Sequence, residues 1–197
     1  MRELVFLLEE ESAKAMLEGL LPRILHQDIR LRYIPFEGKQ DLERQMVRRL
    51  RGYVNPHARF IVLRDQDSAP DCRDVKARLV ELCQNAGRAA TSLVRIACRE
   101  LESFYLADLC AVEQALGVKK LVGQQGSAKF RSPDYLGSPS KELETLTGGR
   151  YQKVSGSRAI GELLDPDNER SPSFKNLIES IRRMESELLT LPNAEES

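Results

Sequence analysis

LVFLLEEE (residues 4–11) and RFIVLRDQD (residues 59–67) are the two stretches that decide the fold class of this chain. Each begins with a short, continuous apolar run, which is the length and pattern of a strand buried on both faces of a sheet. Each run leads directly into carboxylates: Glu9 to Glu11 in the first, and Asp65 and Asp67 in the second. The sequence therefore predicts two interior strands that end in acidic residues.

The segments around these two strands alternate in the same way. Two more runs read as strands, Ile29–Pro35 and Ser92–Ala97. Apolar residues spaced three and four apart predict four intervening helices, over Ser12–Leu25, Gln40–Leu50, Val75–Ala86 and Glu100–Leu116. Four consecutive strand–helix units predict an α/β fold with a mostly parallel central sheet and helices on both faces.

The composition changes after residue 116. Residues 118–157 are rich in Gly, Ser, Pro and Lys, and the last amphipathic segment is Ser171–Leu189. We therefore expect an α/β core over residues 1–116 and a loop-rich, helical C-terminal extension over residues 117–197, packed on that core.

Composition excludes several classes of protein. Apolar residues make up 41% and charged residues 30% of the 197 residues, which fits neither a disordered chain nor a membrane protein. The four cysteines have no C-x-x-C spacing and the two histidines are isolated, so a zinc site is not expected. The N-terminal apolar stretch is too short for a signal peptide, and we expect a cytoplasmic protein.

The formal net charge is zero, yet basic residues cluster between Gly38 and Arg64. A local patch can attract nucleic acid even on a neutral protein. The arginines of the second helix, Arg44, Arg48 and Arg51, are candidates for contacts to a nucleic-acid backbone. A solvated helix face explains the same pattern equally well.

The acidic residues after the strands suggest a metal site. Ligands gather at the carboxyl ends of strands in an open parallel sheet. Asp65 and Asp67 lie two apart, so in an extended segment their side chains point the same way. If the first and third strands are neighbours, Glu9 faces this pair. Three carboxylates without histidine or thiolate form the kind of site that takes Mg²⁺ or Mn²⁺.

This arrangement resembles the Toprim fold, which is shared by topoisomerases, bacterial primases, recombination-mediator proteins and OLD-type nucleases. More narrowly, the chain resembles a small prokaryotic Toprim-like family of unknown function. LLEEESAKAML looks like a divergent form of its V-E-G-x-T-E motif, and RIACRELESFYLAD is similar to its R-E-x-E-x-W-x-x-A-D segment. Further similar elements are Ser140–Lys141 (P-K), Tyr151 with Lys153 (Y-x-K) and Ser171–Phe174 (S-P-S-F).

The resemblance assigns roles to residues of this chain. It implies that Glu9, Asp65, Asp67 and Glu102 are metal ligands and catalytic residues, and that Lys141 and Lys153 contact phosphate, with Lys153 also in a catalytic role. The sequence of this chain departs from the family motif at two positions, where Glu10 replaces a glycine and Ala13 replaces a glutamate.

The implied function is phosphodiester hydrolysis by an Mg²⁺- or Mn²⁺-dependent Toprim-type nuclease. The resemblance further implies an AAA- or ABC-type ATPase partner within an anti-phage defence system; homo-oligomerisation stays open. One alternative is a catalytically degenerate Toprim-like module that only binds a partner. Another is a receiver-type phospho-acceptor domain, which also places acids after its first and third strands but needs only about 120 residues. A chain of 197 residues has no room for the strand-passage gate of a topoisomerase.

Overall fold

The sheet is fully parallel and has four strands. The computed structural model describes residues 1–192. The strands are β1 (Glu3–Leu8), β2 (Arg30–Pro35), β3 (Ala58–Asp65) and β4 (Ser92–Ala97), in the spatial order β2-β1-β3-β4. The predicted mostly parallel sheet is confirmed, and β1 lies beside β3 with Leu8 opposite Leu63.

Eight α-helices surround the sheet in the described residues. They are α1 (Glu11–Leu20), α2 (Lys39–Arg51), α3 (Cys72–Asn85), α4 (Glu102–Leu106), α5 (Leu109–Leu116), α6 (Pro139–Thr147), α7 (Lys153–Gly161) and α8 (Pro172–Leu189).

Three of the helices predicted from the sequence differ in their extent. Helix α3 begins at Cys72, three residues before the predicted Val75, because Asp71 caps it by accepting a hydrogen bond from the Arg73 N–H. The first predicted helix ends at Leu20 and is followed by a 3₁₀ turn that contains Pro22, whose missing N–H and fixed φ do not suit a helix interior.

The predicted helix over residues 100–116 is wrong as a single element. It is two helices, and Asp108 caps the second by accepting a hydrogen bond from the Ala111 N–H.

The two faces of the sheet bury separate apolar clusters. Along β1, the side chains of Leu4, Phe6 and Leu8 enter one cluster, and those of Val5 and Leu7 enter the other. This period of two follows from the alternation of side chains along a strand. Helices α2 and α3 cover the Val5 face, whereas α1, α4, α5, α7 and α8 cover the Leu4 face. The predicted helices on both faces are confirmed.

Helices α1 and α7 approach each other at backbone distance. A Cβ added at Gly161 would lie 2.3 Å from the Met16 carbonyl oxygen, and one at Gly19 would lie 2.7 Å from the Arg158 carbonyl oxygen. Only glycine permits this contact. The crossing fixes the start of α7, which carries Lys153, relative to the sheet.

The C-terminal helix α8 packs on the Leu4 face of the sheet. Its N-cap is Ser171, whose hydroxyl accepts a hydrogen bond from the Phe174 N–H, as its Ser-Pro-Ser start suggests. Leu177 and Ile181 of α8 share one apolar cluster with Leu8 and Phe104. The boundary between residues 116 and 117 stays a prediction.

Among residues 1–192, no helix combines the length and apolarity that crossing a membrane requires.

Candidate active site

An acidic pocket of about 260 Å³ opens at the carboxyl edge of the sheet. The end of β3 and the start of α4 form one wall. Residues of α6 and residues at the start of α7 form the opposite one. Its lining consists of Glu10, Asp65, Asp67, Glu100, Glu102, Ser140, Lys141, Glu144, Tyr151 and Lys153. Asp65, Asp67, Glu102, Lys141 and Lys153 were all candidates from the sequence, and the structure brings them together.

Glu9 lies behind this pocket. It follows β1 directly and is only 8% exposed. Its Oε2 accepts a hydrogen bond from the Asp65 N–H at 3.0 Å, and the Arg64 Nε lies 3.8 Å from the same oxygen. These bonds follow from the pairing of β1 with β3, which places the two strand ends side by side. Glu9 therefore touches Asp65, while Glu10 faces the opening.

Asp67 reaches the pocket through a turn. Its φ is 54°, in the left-handed region, and its N–H donates to the Arg99 carbonyl oxygen at 2.7 Å. The expectation that Asp65 and Asp67 share one side of an extended segment is therefore wrong, because the chain leaves β3 at Asp65. The Asp67 carboxylate still lines the pocket, where it accepts a hydrogen bond from the Lys39 Nζ at 2.8 Å.

Glu102 is held by a tyrosine of the opposite wall. Tyr151 donates its hydroxyl hydrogen to Glu102 Oε1 at 2.9 Å, and its oxygen lies 3.1 Å from the Ser157 hydroxyl. A Cβ added at Gly156 would lie 2.7 Å from the Tyr151 ring, so the ring fills the space that a side chain would need. Tyr151 thus joins α7 to the acidic wall.

Three of the carboxyls have raised pKa values. Burial, followed by the charges of Glu9 and Glu102, raises the pKa of Asp65 well above its usual range. Burial is also the largest cause that raises the pKa of Glu9, and Asp67 adds to it. Burial raises the pKa of Glu102, against the Tyr151 hydrogen bond and the Lys153 charge, which lower it. The pocket therefore disfavours its own ionised carboxylates, which a cation would stabilise.

The donor chemistry fits a hard divalent cation, because the pocket lining holds several carboxylates and neither histidine nor cysteine. The side chains as they stand do not form a preassembled site. In residues 1–192, no group of three or more His, Cys, Asp or Glu side chains is arranged to hold a metal ion. Instead, Glu9 accepts a hydrogen bond from the Asp65 N–H, Asp67 from Lys39, and Glu102 from Tyr151. Side-chain rotations would be needed for a shared cation.

The basic side of the pocket comes from helices α6 and α7. Lys153, the first residue of α7, forms an ion pair with Glu10, and Lys141 lies on α6. Nearby Glu10, Glu102 and Asp65 raise the pKa of Lys153 against the opposing effect of burial, so its ammonium stays charged at neutral pH.

The arginines of α2 lie elsewhere. None of Arg44, Arg48 and Arg51 lines the acidic pocket. Arg44 pairs with Asp41 at 2.6 Å, Arg48 donates to Gln45, and Arg51 donates to the Asn85 carbonyl oxygen. Their assignment as nucleic-acid contacts stays a prediction about a separate surface.

Sequence reasoning assigned no site role to four of the lining residues, which are Glu100, Ser140, Glu144 and Tyr151. It also gave no sign of the ion pair between Lys39 and Asp67. Glu100 accepts a hydrogen bond from the Ser140 N–H at 2.7 Å, which ties the loop after β4 to the start of α6. The position of Glu100 two residues before Glu102 was a usable signal. The contact between residues 100 and 140 had none, because it depends on tertiary packing.

The comparison with protein families matches residues 8–182 to a domain of unknown function (DUF4276). The chain belongs to this family. The match spans β1 to α8 and so includes both walls of the pocket. No curated protein matches the chain.

The fold is similar to that of the C-terminal region of the Burkholderia pseudomallei OLD protein. The TM-score is 0.53, the sequence identity is 17%, and the match covers 92% of this chain and 98% of the other. The chain therefore has an OLD-related α/β fold, as the resemblance of its motifs predicts.

Proposed function

We propose that this DUF4276 protein is an Mg²⁺- or Mn²⁺-dependent nuclease of the Toprim type, which hydrolyses phosphodiester bonds. The observation that carries the proposal is the group of acidic side chains near Asp65. Glu9 touches its backbone, Glu102 and Asp67 lie near enough to raise its pKa, and all of them lie at the carboxyl edge of the sheet. The OLD-related fold supports the same proposal.

In this proposal Asp65, Asp67, Glu9 and Glu102 would hold the cation. Bound Mg²⁺ or Mn²⁺ neutralises phosphate charge and lowers the pKa of a coordinated water. Tyr151 orients the Glu102 carboxylate through its 2.9 Å hydrogen bond. It releases no proton itself, because burial and the Glu102 charge raise its pKa far above neutrality.

Lys153 and Lys141 would bind the phosphate of the substrate. The Lys153 side chain is more than half exposed, and among the described residues its ammonium forms an ion pair with Glu10 alone. Exposed ion pairs contribute about 0–1 kcal/mol, so a phosphate can compete with Glu10 for this lysine. Glu10 places a negative charge beside this phosphate position, so we expect the isolated chain to be a weak enzyme.

The Glu10–Lys153 pair also favours a second candidate, a Toprim-like module that binds a partner without cleaving nucleic acid. In both cases we expect the chain to work with an AAA- or ABC-type ATPase, as an effector or accessory subunit of a defence system. If the chain is a nuclease, a partner that draws Lys153 away from Glu10 would free this lysine for the substrate phosphate. In the non-catalytic module the same change would have no effect on cleavage.

The test is cleavage of end-labelled DNA and RNA, single- and double-stranded, with Mn²⁺ at low salt, with and without an ATPase encoded beside the gene. We expect cleavage that Asp65→Asn and Glu102→Gln abolish, whereas Glu81→Gln on the exposed side of α3 leaves it unchanged. Cleavage that survives in both site variants would contradict the assignment. No cleavage of any substrate, together with stable binding of the ATPase, would establish the module instead.

A further inference from the structure

A second, larger cleft lies beside the acidic pocket. It has a volume of about 610 Å³ and runs along β4, which is one of the two edge strands of the sheet, between the first turns of α3 and α8. We call it the β4 groove. Its basic side chains are Arg73, Lys76, Arg95 and Arg99, and its exposed aromatic is Tyr135. The proposed nuclease site uses none of them.

The β4 groove carries uncompensated positive charge. Within residues 1–192, Lys76, Arg95 and Arg99 form no ion pair; Arg95 donates to neutral oxygens, including the Val94 and Asn176 carbonyls. Two acidic residues also line the groove, so its four cations leave a formal net charge of +2. Asp71 pairs with Arg73, and Asp134, which is buried, accepts hydrogen bonds from the Ser171 hydroxyl and the Ser173 N–H. The groove therefore suits a polyanion.

Tyr135 gives the rim of this groove a flat apolar surface. Its side chain is 82% exposed, the most of any aromatic residue described, and packs into neither apolar cluster. An exposed aromatic ring beside cations is the combination on which unpaired bases stack while their phosphates bind Lys and Arg.

The β4 groove meets the acidic pocket at one turn of the chain. Gln66 and Arg99 line the groove, while their chain neighbours Asp65, Asp67 and Glu100 line the pocket. The turn is fixed by two hydrogen bonds, from the Asp67 N–H to the Arg99 carbonyl oxygen and from the Arg99 N–H to Gln66 Oε1. The groove and the acidic pocket are therefore adjacent at this turn.

We infer that the β4 groove binds single-stranded nucleic acid and guides it to the acidic pocket. Tyr135 stacks on a base, and Lys76, Arg95 and Arg99 contact phosphates. This inference rests on the proposed function for its direction, because it names the substrate strand of that same site. It also explains how a chain of zero net charge binds a polyanion, since its cations are concentrated in one cleft.

Size and shape favour a single strand over a duplex. A cleft of about 610 Å³ is in the range of sites for small ligands, about 300–1,000 Å³. It accommodates a few nucleotides, whereas a duplex only presents paired bases that Tyr135 cannot stack on. A peptide added to β4 as a further strand is less well supported. The Val94 carbonyl and the Cys98 N–H, which point away from β3, already bind Arg95 and Ser173.

The test measures binding apart from cleavage. Fluorescence anisotropy of a labelled 12-nucleotide single strand and its 12-base-pair duplex is recorded with the whole chain in EDTA at several salt concentrations. Lys76→Glu/Arg99→Glu reverses groove charge, and Arg49→Glu/Lys119→Glu makes the same charge change at exposed positions outside both cavities. Tyr135→Ala removes the ring, and Tyr135→Phe retains it.

We expect the single strand to bind more tightly than the duplex. Lys76→Glu/Arg99→Glu should weaken binding about tenfold or more and flatten the salt dependence, because two phosphate contacts are lost. Tyr135→Ala should weaken it about tenfold, and Tyr135→Phe about twofold at most. The Arg49→Glu/Lys119→Glu control should stay within about threefold of the wild type.

Several results would overturn the inference: tighter binding of the duplex, equal losses in the groove and control variants, or a loss in Arg44→Glu/Arg48→Glu on α2 instead. Selective binding of an acidic peptide, with no binding of the single strand, would do the same. The outcome is independent of catalysis. Groove-dependent binding without cleavage at any metal concentration would contradict the nuclease alone, and cleavage unaffected by the groove variants would contradict the groove alone.

Discussion

The two walls of the acidic pocket are positioned by different forces. The acidic wall lies at the ends of β1 and β3 and the start of α4. Main-chain pairing sets the positions of Glu9 and Asp65 in this wall, because Leu8 is opposite Leu63 and Asp65 is opposite Ala97. The opposite wall, with Lys141, Tyr151 and Lys153, depends on how α6 and α7 pack. Glu9 and Asp65 therefore follow from strand register, whereas the lysines depend on a few side-chain and glycine contacts.

The largest effect is expected at the crossing of α1 and α7. Gly161→Ala places a Cβ 2.3 Å from the Met16 carbonyl oxygen, so α7 must move, and we expect a loss of about 2 kcal/mol or more in the free energy of unfolding. Urea unfolding measures it. Gly126→Ala, where a Cβ meets nothing within 4 Å, is the control and should change stability by less than about 1 kcal/mol. An unchanged stability of Gly161→Ala would show that the crossing does not position the lysine wall.

The acidic wall should respond to pH instead. The pKa of Asp65 is raised in the folded state, so between its unfolded and folded values the folded chain binds more protons than the unfolded chain. Stability in EDTA therefore falls as pH rises through this window, with a slope of up to about 1.4 kcal/mol per pH unit for one proton.

Asp65→Asn should reduce this slope and make the metal-free protein more stable than the wild type at neutral pH, because repulsion from Glu9 and Glu102 is relieved. Thermal unfolding from pH 4 to 8 in EDTA measures both. Asp74→Asn, at an exposed position of α3, should leave the slope unchanged. A steeper slope in Asp65→Asn would mean that ionised Asp65 stabilises the fold.

A smaller effect is expected where the two walls touch. Tyr151→Phe removes the hydrogen bond to Glu102, and we expect a loss of about 1 kcal/mol in stability. The pKa of Glu102 should rise further, because this hydrogen bond lowers it. Carboxyl NMR titration reads the pKa directly. A Glu102 pKa that does not change would show that Tyr151 packs against the acidic wall without orienting it.

Residues with local signals were predictable. Strands β1 and β3 contain continuous apolar runs, β2 alternates polar and apolar residues, and Ser171–Pro172 begins α8 as its N-capping signal indicates. The division between α4 and α5 was not predictable from a local signal. Asp108, which lies at this division, accepts a hydrogen bond from the distant Asp165 N–H as well as from the Ala111 N–H of its own helix. Helix α7 was missed because its two glycines lower helix propensity. Gly156 leaves space for the Tyr151 ring, and Gly161 leaves space for the Met16 backbone.

The site was predictable in its residue types and only partly in its geometry. Parallel strands place Glu9 and Asp65 together whatever the loops do. The left-handed turn at Asp67 overrides the extended geometry that the D-x-D spacing suggests, although aspartate is among the residues that tolerate such a φ. Lys141 and Lys153 were predicted only through the motif resemblance, because the packing of α6 and α7 leaves no periodic signal in the sequence.

The most direct test of the account is calorimetric titration of the metal-free chain with Mn²⁺ and Mg²⁺. We expect saturable binding in the wild type and in Asp74→Asn, and no binding in Asp65→Asn. Glu102→Gln should bind the cation at least about tenfold more weakly than the wild type. Wild-type affinity in both Asp65→Asn and Glu102→Gln would contradict the claim that the carboxylates around Asp65 form the cation site.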